Sequence, residues 1–216
     1  ACILAWLSLF FAVPRLPAAE ETPAAIPAAA DRNIGAFVTL QGTISDTVTA
    51  SVRRTALELK AKALKENRQA FLVMELTPGT SEFHHVFALT EFLASEATAN
   101  LTTICWIPKS VNGTNLCVAL ACNEIVVHPD AQIGDIGRGE ALRENEQLIM
   151  KSVVAKRRNR RVTEALAIGL MDPAAVILQI TVEPAPGTVE KRLVTQNEAQ
   201  RMRDAGIAIR DSQTVK

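Results

Sequence analysis

The chain predicts an α/β fold with a largely parallel sheet. Apolar β-rich runs alternate with helical segments between residues 34 and 127, in the order β-α-β-α-β-α-β. Right-handed crossovers turn that order into parallel pairing. One run, AFLVMEL (Ala70 to Leu76), is almost continuously apolar, which implies burial on both faces. Aromatics make up 4% of the chain and tyrosine is absent, so the core is drawn from Ala, Val, Leu and Ile. Alanine-rich helices on Val/Ile strands suit a layered architecture.

In chain order, residues 1–13 (ACILAWLSLFFAV) are continuously apolar. That run is shorter than the roughly 20 residues of a spanning helix. It suits the apolar part of a signal peptide ending near Ala19, or an N-terminal anchor, and either implies an exported, periplasmic or membrane-associated protein. Residues 20–33 are rich in Ala and Pro and read as a linker. A strand over Ile34 to Leu40 and a turn at Gln41-Gly42-Thr43 follow. Thr47 to Asn67 is a long helix with Val48, Val52, Leu57, Leu59 and Leu64 near one stripe. After the strand Ala70 to Leu76, Thr77-Pro78-Gly79-Thr80 makes a sharp loop. Ser81 has the chemistry to cap a helix running to about Ala99. Thr102 to Ile107 is a strand and Pro108 to Asn112 a turn. Gly113 opens a small-residue helix to Cys122. Glu124 to Val127 is a short strand before His128-Pro129, and Ile133 to Gly137 a loop punctuated by glycine.

Beyond Gly137 a helix is expected from Ala141 to Arg158, its last turn basic at Lys156-Arg157-Arg158, as the helix dipole favours. A short helix over Val162 to Leu170 is broken by Asp172-Pro173. Ala174 to Val182 reads as a strand that Val189 to Val194 pairs with. Thr195, with Glu198 at the capping-box spacing, starts a last helix ending near Gly206. The domain boundaries this gives are 34–182 for the main domain and 183–216 for a C-terminal strand-helix extension. Lys216 carries no recognisable end signal, so a longer natural chain is expected.

Length and composition allow one sizeable core: 216 residues, 48% apolar. Lysine plus arginine balance aspartate plus glutamate at 23 each, which removes net charge as a route to nucleic acid. Cys105, Cys117 and Cys122 match no zinc spacing and sit among core residues, as buried thiols do; one disulfide is the alternative. His84 and His85 could cap a helix or bind a ligand. With no third donor nearby in sequence, no metal site is expected. His128, before a proline at a strand end, reads as structural, and Ser110 as a turn residue.

Three segments carry a resemblance: FVTLQGTI before the long helix, LVMELTPGT, and VALACNEIVVHPDAQIGDIG. By these the chain resembles the Clp/crotonase superfamily, in particular the ClpP-class membrane-associated serine peptidases of the NfeD and signal-peptide-peptidase-A type, from about Ile34 to Asp172. The resemblance implies a Clp/crotonase-like spiral of β-β-α units with helices flanking the sheet. It also implies peptide or protein partners, membrane association, homo-oligomers and no cofactor. The family's serine starts the central helix, a lysine or histidine is its base, and a Gly-rich loop holds the oxyanion. Counted back from Val118-Ala119-Leu120-Ala121, the serine falls on Gly113, which has no side chain to attack with. Thr114 takes its place after a one-residue shift, with Lys151 as the candidate base. The oxyanion and binding positions are Gly79, Thr80 (where the family has a second glycine) and Asn115. The resemblance therefore implies a non-catalytic binding or assembly module, with an active peptidase using Thr114 and Lys151 as the alternative. A crotonase-like acyl-thioester enzyme is the third reading, and export argues against it.

Overall fold

A computed structural model describes residues 33–156, 162–185 and 187–215. The expected leader and linker, and Arg157 and Arg158 of the basic run, lie outside the described residues. The first sheet is built from β1 (Asn33–Leu40), β2 (Gln69–Leu76), β3 (Leu101–Ile107) and β4 (Glu124–Val127), all parallel and in that spatial order. Crossovers run through α1 (Asp46–Glu66), α2 (Phe83–Leu93) and α3 (Leu116–Ala121).

Local chemistry sets the ends of these elements. Ser45 caps α1, its hydroxyl accepting from Val48 N–H. Asn67 closes the same helix in the left-handed conformation, its N–H reaching the carbonyls of Ala63 and Leu64. The second helix is shorter than the sequence predicts. It stops at Leu93 and gives way to a 3₁₀ turn over Glu96–Thr98. Ser95 and Thr98 cause this, because their hydroxyls bond the carbonyls of Phe92, Leu93 and Ser95 and compete with the helical ladder. Ser81 does not cap α2. Glu82 holds the cap position, and Ser81 is engaged elsewhere.

The four strands alternate strictly. Val38, Met74, Cys105 and Ile125 lie in register on one face, where α1 packs on β1 and β2, and α3 on β3 and β4. Phe37, Val73, Ile104, Trp106 and Val126 lie on the other. That second face stands open: Phe37 is 61% and Val126 43% exposed, and Phe71, Val73, Ile104 and Trp106 are partly buried. The expectation that β2 is buried on both faces is thereby corrected. Its apolar run reflects β-propensity on the open face as well as core packing on the other.

The chain continues through α4 (Glu144–Lys156) and α5 (Glu164–Met171) into an antiparallel sheet. Its strands are β5 (Ile177–Ala185), β6 (Thr188–Thr195) and β7 (Ile209–Thr214), in the order β6-β5-β7, with α6 (Gln196–Asp204) between β6 and β7. Thr195 caps α6, accepting from Glu198 N–H at 3.1 Å. A separate small core of Ile180, Val182, Val194 and Ala199 holds this sheet to α6. The division expected at 182/183 falls inside β5, the central strand. Strand β7 (IRDSQT) was not expected, because all but one of its residues are exposed and it has no apolar alternation. It exists by pairing with β5. No helix among the described residues is long and apolar enough to cross a membrane.

Candidate functional site

The carboxyl ends of parallel strands are where α/β proteins place their sites. Here the loops after β1, β2 and β3 meet at that end, and a fourth loop closes over them. The first contact is backbone on backbone. A Cβ on Gly79 would lie 2.3 Å from the carbonyl oxygen of Gly42, so glycine at 79 lets the β1 and β2 loops touch.

Side chains then lock the loops to the start of α3. Ser81 Oγ accepts from Ile44 N–H at 2.7 Å and donates to Asn115 Oδ1 at 2.6 Å. Asn115 Nδ2 donates to the Gly42 carbonyl at 2.7 Å, and Asn115 is fully buried. Thr114 completes the clamp. Its hydroxyl donates to the Ser81 carbonyl and accepts from Ser81 N–H at 3.0 Å, with Thr80 Oγ1 at 3.3 Å. A hydroxyl has one proton, and Thr114 gives its own to a carbonyl.

Gly113 begins the winding of α3. Its carbonyl accepts from Leu116 N–H, and Thr114 and Asn115 repeat that i to i+3 pattern before the helix proper. Gly113 has φ +90, and a Cβ there would stand 3.1 Å from Thr80 Oγ1 and 3.2 Å from Thr80 Cβ. Threonine at 80 thus fills the space that a side chain at 113 would need. Arg138 approaches the same spot, its Cδ 3.5 Å from that Cβ position.

Arg138 arrives on the loop after β4. Asp135 ties this loop down: its carbonyl accepts from Gly113 N–H, and its carboxylate accepts from the N–H groups of Gly137 and Gly139. A parallel bridge between Val111 and Ile133 fixes the other side. Ser110 sits in the turn, accepting from Gln132 N–H. His128 lies beside Trp106 and accepts from Asp130 N–H, engaged within its own turn.

The structure gathers Gly79, Thr80, Gly113, Thr114 and Asn115 in one place. Lys151 lies elsewhere in α4's surroundings, lining a polar cleft with Glu164, Asp172, Thr195, Glu198 and Arg201. Cys117, one turn beyond Thr114, is fully buried. Its thiol is pushed up to about 12, first by burial and then by the charge of Glu146. Cys117 and Cys122 are both free and buried, and Cys105 is buried. Sequence reasoning missed Ser81 as the hub of the loop network and Arg138 as the cation beside Gly113. Arg138 stands between two glycines at φ +57, and that Gly-Arg-Gly pattern was the available signal.

No protein-family model and no curated protein matches the sequence. Among the solved structures that match are two variants of one protease. A serine-to-alanine variant of 1510-N membrane-bound stomatin-specific protease matches at TM-score 0.50 and 14% identity, over 79% of this chain and 76% of that one. A lysine-to-alanine variant of the same protease, in complex with a substrate peptide, matches at TM-score 0.43 and 13% identity, over 65% and 73%. The fold is an α/β fold of the Clp/crotonase type, with a parallel four-stranded sheet, shared with a serine-protease-like neighbour.

Proposed function

We propose that this chain is a non-catalytic, exported member of the ClpP-class peptidase fold, acting as a peptide- or protein-binding module. One observation carries the reading. The position that the resemblance assigns to the nucleophile is Gly113, and Thr80 occupies the space its side chain would take. The neighbouring hydroxyl, on Thr114, is held on both sides by the backbone of Ser81. A nucleophilic hydroxyl must pass its proton to a base in the transition state, and a carbonyl oxygen is not one. Lys151, the lysine considered as base, faces a different cleft.

The loops still meet at the strand ends, with Gly79 against Gly42 and Arg138 beside Gly113. Peptide binding there, membrane association and self-association remain parts of the proposal. The test is incubation of the purified chain with a mixed peptide library, read by retention on immobilised protein and by mass spectrometry of the supernatant. Retention of a peptide subset without new cleavage products is the expected result. Cleavage products that disappear in Thr114→Ala would sink the reading in favour of the active peptidase.

A further inference from the structure

A second cluster lies just beyond the Ser81 hub, where the first turns of α1 and α2 come side by side. Two of the chain's three histidines are in it. Glu82, His84 and His85 each offer a donor atom, and these lie within 4.8 Å of one another. The two imidazole rings are 3.9 Å apart between centroids. From the other helix, Asp46 Oδ1 sits 2.8 Å from His85 Nδ1.

That last contact makes the cluster more than a group of surface residues. A carboxylate accepts only, so His85 donates from Nδ1 and turns Nε2 into a lone-pair donor. A histidine ligand characteristically gives its other N–H to a carboxylate, which fixes the tautomer and raises ligand basicity. We propose that Glu82, His84 and His85 form a divalent transition-metal site, with Asp46 orienting His85. Two imidazoles and a carboxylate suit Zn²⁺, and the same donors take Co²⁺, Ni²⁺ and Cu²⁺. Three protein ligands leave a fourth position for water or an external ligand.

The donors need to draw in modestly, because a tetrahedral site with bonds of about 2.0–2.1 Å places them roughly 3.4 Å apart. Glu82 and His84 are largely exposed and free to do so, at 78% and 66% side-chain exposure. The positive ends of two helix dipoles oppose a cation here. The charges of Glu82 and Asp46 offset them. The third donor, Glu82, stands two residues before His84 and was passed over in the sequence, while Asp46 joins from another helix, 39 residues from His85. A bound ion would hold the start of α2 and stiffen the segment immediately after Ser81.

The experiment is titration of the purified chain, without a histidine tag, with Co²⁺, following visible absorption, and then displacement with Zn²⁺. One Co²⁺ per chain is expected. Affinity falls at least 10-fold in His84→Ala and in His85→Ala. It falls by about 10- to 100-fold in Asp46→Asn, and is unchanged in His128→Ala. Circular dichroism confirms that each variant is folded. Absence of Co²⁺ absorption in the wild type, or a wild-type isotherm in His85→Ala, overturns the site. Unchanged affinity in Asp46→Asn overturns the role of Asp46.

Discussion

At the scale of single residues, the candidate site is held by groups whose hydrogen bonds are already spoken for. Asn115 is the clearest case. Replacing it with alanine orphans the Gly42 carbonyl and the Ser81 hydroxyl proton in a partly buried place, at about 1–3 kcal/mol together. Urea unfolding of Asn115→Ala should show a loss within that range, whereas an unchanged midpoint would mean that the network is not formed in solution. Gly113 and Thr80 share one space, so they should couple. Gly113→Ser alone is strained by its φ of +90 and crowded by Thr80. Adding Thr80→Gly removes the crowding, and the double variant should be more stable than the sum of the single changes. Cys117 gives a pH signature. Its folded thiol is raised to about 12 from 9.0, so the folded state keeps the proton longer than the unfolded chain. Stability from this group is complete below pH 9 and declines as pH rises toward 12. Unfolding midpoints measured from pH 8 to 11 should fall more steeply in the wild type than in Cys117→Ala.

Among the elements, the first sheet is the test of the packing account. Met74 is fully buried, and Phe37, on the edge strand β1, points out of the open face. Met74→Ala should cost about 2–5 kcal/mol. Phe37→Ser should stay within about 0.5 kcal/mol. A Phe37 cost comparable to that of Met74, measured by denaturant titration, would show that the face is covered in solution. The β-α-β order, the Thr195 cap and the break after Leu170 were legible, because each rests on local chemistry. Three things were not. The early end of α2 depends on hydroxyls turning back on the backbone. Strand β7 depends on a partner, β5, that lies far back in the chain. The one-sidedness of the sheet depends on how little of the described chain covers Phe37 and Val126, which no local pattern encodes.

For the molecule as a whole, the parallel sheet brings three loops to one end, and the residues that the resemblance singled out in those loops do meet there. Gly79, Thr80, Gly113, Thr114 and Asn115 were readable because motif spacing located them. Their roles were not readable, since the sequence cannot show that Thr80 fills the space at Gly113 or that Thr114 is tied to Ser81. Lys151 was chosen by chain order, and the fold places it against α5 and α6 residues instead. In the function proposed above, this end of the sheet keeps a peptidase-like scaffold without a nucleophile. The most direct measurement is intact-mass analysis of the purified chain after exposure to a broad fluorophosphonate probe, beside Thr114→Ala. The account predicts no added mass in either protein. A stoichiometric adduct on the wild type that Thr114→Ala abolishes would contradict it and make Thr114 the nucleophile.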